Sequence, residues 1–220
     1  MIRALAIKEL RESAGLLALA ALGMAWTIAR LVGYSFLGSW TGYYGYGEDF
    51  FAFLNDDFTT KASIFVGGLA IGLGLKQTAW EHGRCTFYFL LHRPIERWQV
   101  VATKLAVGLT LMLGILVVAI VWYGWWAATP GKRSVPFEWT MASSAWMLML
   151  TMPLVYFGAF LSGMRPGLWF GTRLAPLAGA IMWATFCNAV PFWWLTAALA
   201  ILGYVCVLTA ILYYSQSRDY

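Results

Sequence analysis

Residues 105–128, LAVGLTLMLGILVVAIVWYGWWAA, run for 24 positions without a single charge. An α-helix rises about 1.5 Å per residue, so about 20 such residues cross a hydrocarbon core of about 30 Å. In lipid every backbone N–H and C=O must be satisfied within the segment, and a helix does that on its own. Five further apolar stretches, at 14–37, 62–78, 139–161, 174–190 and 192–214, have the same character. The chain therefore reads as an all-α, polytopic membrane protein with six transmembrane helices, a single domain over residues 1–220. The second and fifth stretches are short for a crossing. Lys61 and Lys76 can lengthen the second by snorkelling their heads toward water. Pro176 and Pro191 bracket the fifth, which reads as broken or re-entrant as readily as a straight crossing. Composition excludes the soluble alternative: 61% of residues are hydrophobic and 11% charged, with mean hydropathy +0.68. A soluble domain carries about 25% charge, and one of this size keeps much of its chain at the surface.

Residues 2–12, IRALAIKELRE, are too charged to span. On a helical wheel Ile2, Leu5, Ala6, Ile7 and Leu10 gather on one side, with Lys8, Arg11 and Glu12 on the other; Arg3 and Glu9 interrupt the pattern. This predicts an amphipathic elbow helix over residues 1–13, lying on the membrane surface before an uncleaved first span. With the N-terminus inside, 11 Lys and Arg fall on the inner side and three, Lys61, Lys132 and Arg133, on the outer. The positive-inside rule then places both termini in the cytoplasm of a bacterial inner membrane. It also accounts for the net charge of +5 without a nucleic-acid partner. The first outer loop carries Glu48, Asp49, Asp56 and Asp57 among many aromatic residues. Rings of this kind favour the membrane interface, so the loop is expected to lie along the outer leaflet or cap that end.

The densest charge lies between the second and third spans, in TAWEHGRCTFYFLLHRPIERWQVVATK, Thr78–Lys104. Phe87, Leu90 and Leu91 recur at helical spacing, Pro94 interrupts, and a new helix is expected to start near that proline. The result is a helical elbow at 79–97 dipping into the cytoplasm, with solvated charges able to dock a soluble partner. Glu81, Thr86, Leu90-Leu91, Pro94-Ile95, Arg97 and Lys104 stand in the spacing of the permeases of type-2 ABC transporters, which this chain resembles over residues 1–104. Cys85 replaces the glycine that family carries before the threonine, although Gly83 lies close by. IKELRE also resembles that family's opening.

The resemblance implies a coupling helix formed by Glu81, Gly83, Thr86, Leu90, Arg93, Pro94 and Arg97. It implies two six-span subunits, the second a copy of this chain or a paralogous permease, and two ABC ATPase subunits docked from the cytoplasm. The chain has no G-x-x-x-x-G-K-[ST] loop, so ATP and Mg would be bound by the partner and this chain would need no cofactor of its own. An exporter is the expected activity. A haem-exporter-like permease, or a non-transporting ABC subunit that passes force to periplasmic partners, are the alternatives. An intramembrane enzyme ranks below both, because there is no H-E-x-x-H, no G-x-S-x-G and no carboxylate pair within a span.

Arg30 is the one charge well within an expected span and is a candidate for the transport pathway. Gly68-x-x-x-Gly72 permits close helix approach, either at a dimer seam or inside the bundle. His82, Cys85 and His92 supply three metal donors where a structural zinc site takes four, so no metal is assigned. Cys85, Cys187 and Cys206 suggest no disulfide framework.

Overall fold

A computed structural model describes residues 2–33, 51–54, 57–80, 97–130, 136–165 and 172–217. Among these residues the structure is helical and contains no strand. Helix α1 spans Ile2–Val32, α2 Phe58–Leu75, α3 Arg97–Ala128, α4 Ser143–Met164, α5 Ala175–Ala189 and α6 Trp193–Ser217. A π turn, Lys76–Trp80, extends α2, and a 3-10 turn, Trp139–Ala142, precedes α4.

Five helical segments are long and apolar enough to cross a bilayer: Arg3–Val32, Phe58–Trp80, Trp98–Ala128, Trp139–Met164 and Trp193–Gln216. They make the chain a multi-pass membrane protein. The fifth of the six expected spans is the 15-residue α5, which at 1.5 Å per residue is about 22 Å long. Pro176 sits in its first turn, where a missing N–H costs nothing, and the helix stops at Ala189 ahead of Pro191.

Helix α1 is one unbroken helix of 31 residues, about 46 Å long. The stretch expected to form a separate surface helix is its first three turns, and no break divides it from the span. Gly33 ends α1 with φ of 101°, and its N–H bonds the Arg30 carbonyl at 3.1 Å. A left-handed residue of this kind closes a helix C-terminus and is open to glycine.

Exposed tryptophans mark two belts. Trp80 and Trp98 lie at the end that holds the start of α1, and Trp122, Trp125, Trp139, Trp193 and Trp194 toward the other. Trp98 and Trp125 stand on the same helix 27 residues apart, about 40 Å, which matches a bilayer with its interfaces.

The core is built around α4, whose side chains are all buried from Thr151 to Met164. Helices α2, α5 and α6 surround it, while α1 packs on α2 and α3. A helix that is apolar all round suits such a position. Pro153 is accommodated within it, and Thr151 bonds Asn188 of α5, whose amide nitrogen reaches the Thr151 hydroxyl at 3.1 Å.

Helices α2 and α4 run parallel in a fixed register of 85 residues, set by the Thr59–Ser144 hydroxyl contact at 3.3 Å. The same pairing recurs at Gly67–Met152, Gly74–Ala159 and Thr78–Gly163. A Cβ built on Gly74 would stand 2.7 Å from the Ala159 Cβ, so this level is closed to any side chain. The close seam thus runs through Gly74 and Gly163, with Gly67 in ordinary contact with Met152; Gly68 faces outward and Gly72 meets Leu16 of α1.

Near Trp139 the chain segment Phe51–Leu54 is tied into the bundle. Phe53, 2% exposed, packs on Phe58 at 4.9 Å and Tyr123 at 4.8 Å, and its carbonyl accepts a hydrogen bond from Ser144. Its φ of 67° is left-handed, a strained backbone for a non-glycine residue that this packing holds in place. That end of the bundle is capped by aromatic rings over residues 51–54; the rest of the expected loop cap, including Glu48, Asp49 and Asp56, lies outside the described residues.

Candidate functional site

The bundle end that holds the start of α1 contains a buried ionic cluster drawn from four elements. Lys104 lies seven residues into α3, about 10 Å from its start, and is fully buried. Glu9 of α1 is 2% exposed, and its Oε1 lies 3.2 Å from the Lys104 Nζ. The ammonium also donates to the Gln77 carbonyl at 3.2 Å, and the Gln77 side-chain amide donates back to the Lys104 carbonyl at 3.2 Å. The Tyr156 hydroxyl of α4 bonds Gln77 Oε1 at 2.6 Å and reaches the Lys104 carbonyl at 3.2 Å.

Local sequence explains this convergence. Gly108 lies one turn beyond Lys104, and a Cβ there would strike the Tyr156 ring, so the glycine makes the berth for the tyrosine. Gly163 does the same for Thr78, whose Cβ lies 2.9 Å from where a side chain at 163 would begin. Thr78 in turn bonds the Gly74 carbonyl at 2.7 Å. The Lys76 ammonium donates to the Glu12 carbonyl, adding a second tie between α1 and the π turn.

Burying two charges is expensive, and the cost is recovered only when they pair and their remaining hydrogen-bond capacity is met. Here the ammonium and carboxylate face each other, the ammonium also meets the Gln77 carbonyl, and the Gln77 amide and the Tyr156 phenol converge on the Lys104 carbonyl. Such a cluster holds helix ends in one arrangement. It has the ingredients of a mechanical joint.

The ends of α4, α5 and α6 are joined nearby. Arg173 donates to the Ser162 carbonyl at 3.4 Å and the Gly163 carbonyl at 3.2 Å, and the Leu177 N–H donates to the Ser162 hydroxyl at 3.0 Å. The Arg165 guanidinium lies 5.6 Å from the Tyr214 ring centroid. Cations at a helix C-terminus meet the unsatisfied carbonyls there.

Of the residues expected to carry function, Glu81, Gly83, Thr86, Leu90, Arg93 and Pro94 lie outside the described residues, as do His82, Cys85 and His92. Arg97 is the first residue of α3. Arg30 stands in the last turn of α1, 21 residues from Glu9 and so about 32 Å up the helix, away from the cluster. Of the positions in the family spacing, Arg97 and Lys104 fall in a described helix, and Lys104 is at the centre of the cluster. Glu9, Gln77 and Tyr156 carried no expectation. Glu9 did leave a signal, as an acid on the apolar side of the wheel over residues 2–12.

Comparison with known protein families, with curated proteins and with solved structures finds no match to this chain.

Proposed function

We propose that the chain is the membrane-spanning permease subunit of an ATP-driven ABC exporter, working with a separate ATP-binding subunit. One observation carries the reading beyond the sequence resemblance. The buried Glu9–Lys104 pair ties the start of α1 to both helix ends that flank residues 81–96. A segment that receives force from a docked partner needs such an anchorage, because a push on a loosely held loop is dissipated locally.

In this reading α5 completes a set of six crossings, and the first turns of α1 act as the elbow. Both termini face the cytoplasm of a bacterial inner membrane. The unit pairs with a second copy or a paralogue, and two ATPase subunits grip Glu81, Thr86, Arg93, Pro94 and Arg97. Closure of the ATPases on nucleotide moves that segment, and the helices shift between two populated arrangements.

The test is purification of the tagged chain from its native membrane in mild detergent. An ATPase of the ABC type should accompany it and be lost when Glu81 or Arg97 is reversed in charge. A complex lacking any such ATPase overturns the proposal.

A further inference from the structure

Helix α2 does not end as it runs. Leu73 is fully buried, and Trp80 follows it by seven residues, two turns of an α-helix, so in an unbroken α-helix Trp80 would share its inward face. Trp80 is instead 59% exposed. The π turn at Lys76–Trp80 explains the difference. A ladder of i→i+5 bonds holds about one residue more per turn than i→i+4, which slips the helical phase by about 100°.

A π turn is rare and needs support. Here two carbonyls of the α2 end are met by side-chain donors: Gln77 by the Lys104 ammonium at 3.2 Å, and Gly74 by the Thr78 hydroxyl at 2.7 Å. Gly163 leaves the room into which Thr78 settles. The ammonium is itself held by Glu9, on a helix that shares no covalent neighbourhood with the turn.

We propose that the Glu9–Lys104 pair is the catch of a π-to-α register switch at the end of α2. With Lys104 Nζ on the Gln77 carbonyl, the turn is held wide and Trp80 faces outward. With the ammonium withdrawn, the turn relaxes to an α-helix, Trp80 swings toward the bundle, and the chain leaves α2 turned by about 100°. A displacement of α1 that carries Glu9 away would release the catch, so α1 is linked to the chain leaving α2 through the Lys104 ammonium, beside the tie of Lys76 to the Glu12 carbonyl. The use of this switch to pass motion to a docked ATPase rests on the permease reading; the switch itself does not.

The experiment uses the full chain in lipid nanodiscs, with its cysteines replaced. A nitroxide is placed singly at Ala79 and at Trp80, and collision with dissolved oxygen is measured by electron paramagnetic resonance. The background is either native or Glu9→Gln with Lys104→Met, which removes the donor without stranding a buried carboxylate. In the native background the label at 80 should be the more accessible. In the double variant the order should reverse, and Lys104→Arg, which keeps a donor, should retain the native order. An unchanged order in the double variant overturns the switch. So does equal high exposure at both positions, which would make Lys104 a brace against fraying. The readout needs no ATPase, so a chain that switches but recruits no ATPase would sink the permease reading alone.

Discussion

Glu9 and Lys104 should show strong, opposite-signed coupling in a double-mutant cycle. Both are buried, and their charged atoms are 3.2 Å apart. Glu9→Gln leaves the ammonium facing a neutral amide, and Lys104→Met leaves a carboxylate without its cation. Removing one partner of a buried pair costs about 3–5 kcal/mol, because the survivor stays desolvated and uncompensated. Replacing both removes the two desolvation penalties together and is often neutral. The Gln77 carbonyl also loses its ammonium donor, which costs about 1–3 kcal/mol if the turn does not adjust. The double variant should therefore lie within about 1–3 kcal/mol of the native chain and above Lys104→Met. At about 2–4 °C per kcal/mol for a chain of this size, each single variant should lower Tm by roughly 6–20 °C. Thermal unfolding in nanodiscs, followed by tryptophan fluorescence, reads all four corners of the cycle. Additive single effects, with the double variant least stable of all, would refute the claim that these two side chains form one energetic unit.

Tyr156→Phe should lower stability by about 1–3 kcal/mol, since it strands the buried Gln77 Oε1 that the hydroxyl now meets at 2.6 Å; a melting shift below one degree would contradict this. Gly74→Ala should cost about 1–3 kcal/mol or more by overpacking against Ala159, whereas Gly68→Ala, at an open site on the same helix, should be close to neutral; equal effects would refute the assigned seam. Phe53→Ala should cost about 3–5 kcal/mol, and Phe53→Gly should be no worse, because at φ of 67° glycine escapes a strain of about 1–2 kcal/mol that alanine retains; a clearly less stable glycine variant argues against the left-handed backbone. In a cysteine-free background, Thr140→Cys should react with a membrane-impermeant maleimide added to whole cells and Arg3→Cys should not; the reverse pattern would overturn the orientation drawn from the basic residues.

The apolar runs were enough to place five spanning helices, since burial of backbone in lipid leaves the chain little choice. They did not reveal which helix is central. Mean hydropathy is 2.7 over the best window of Trp98–Ala128 but 1.6 over that of Trp139–Met164, the most buried of the five. Lipid selects for hydropathy, while a helix–helix contact selects for fit, so Gly158, Ser162 and Gly163 lower the score of the helix that packs best. Similarly, a wheel over residues 2–12 treats Glu9 as an irregularity, because only the fold brings Lys104 to meet it. The π turn was not legible at all: the KQTAW sequence contains no breaker, and the cause lies in an ammonium from another helix. The expected docking residues from Glu81 to Pro94 rest on sequence spacing alone.

The match between α2 and α4 over the levels ahead of the π turn, from Thr59–Ser144 to Gly74–Ala159, limits how this bundle can deform. Glycine and alanine steps that interlock along two parallel rods prevent one from sliding on the other without lifting it clear, so the pair should travel as a single stiff unit. Shear must then be taken up elsewhere, on the flank where α1 and α3 lie or along the hairpin of α5 and α6. Any conformational cycle of this protein would be a rearrangement of those outer pieces about an unyielding centre.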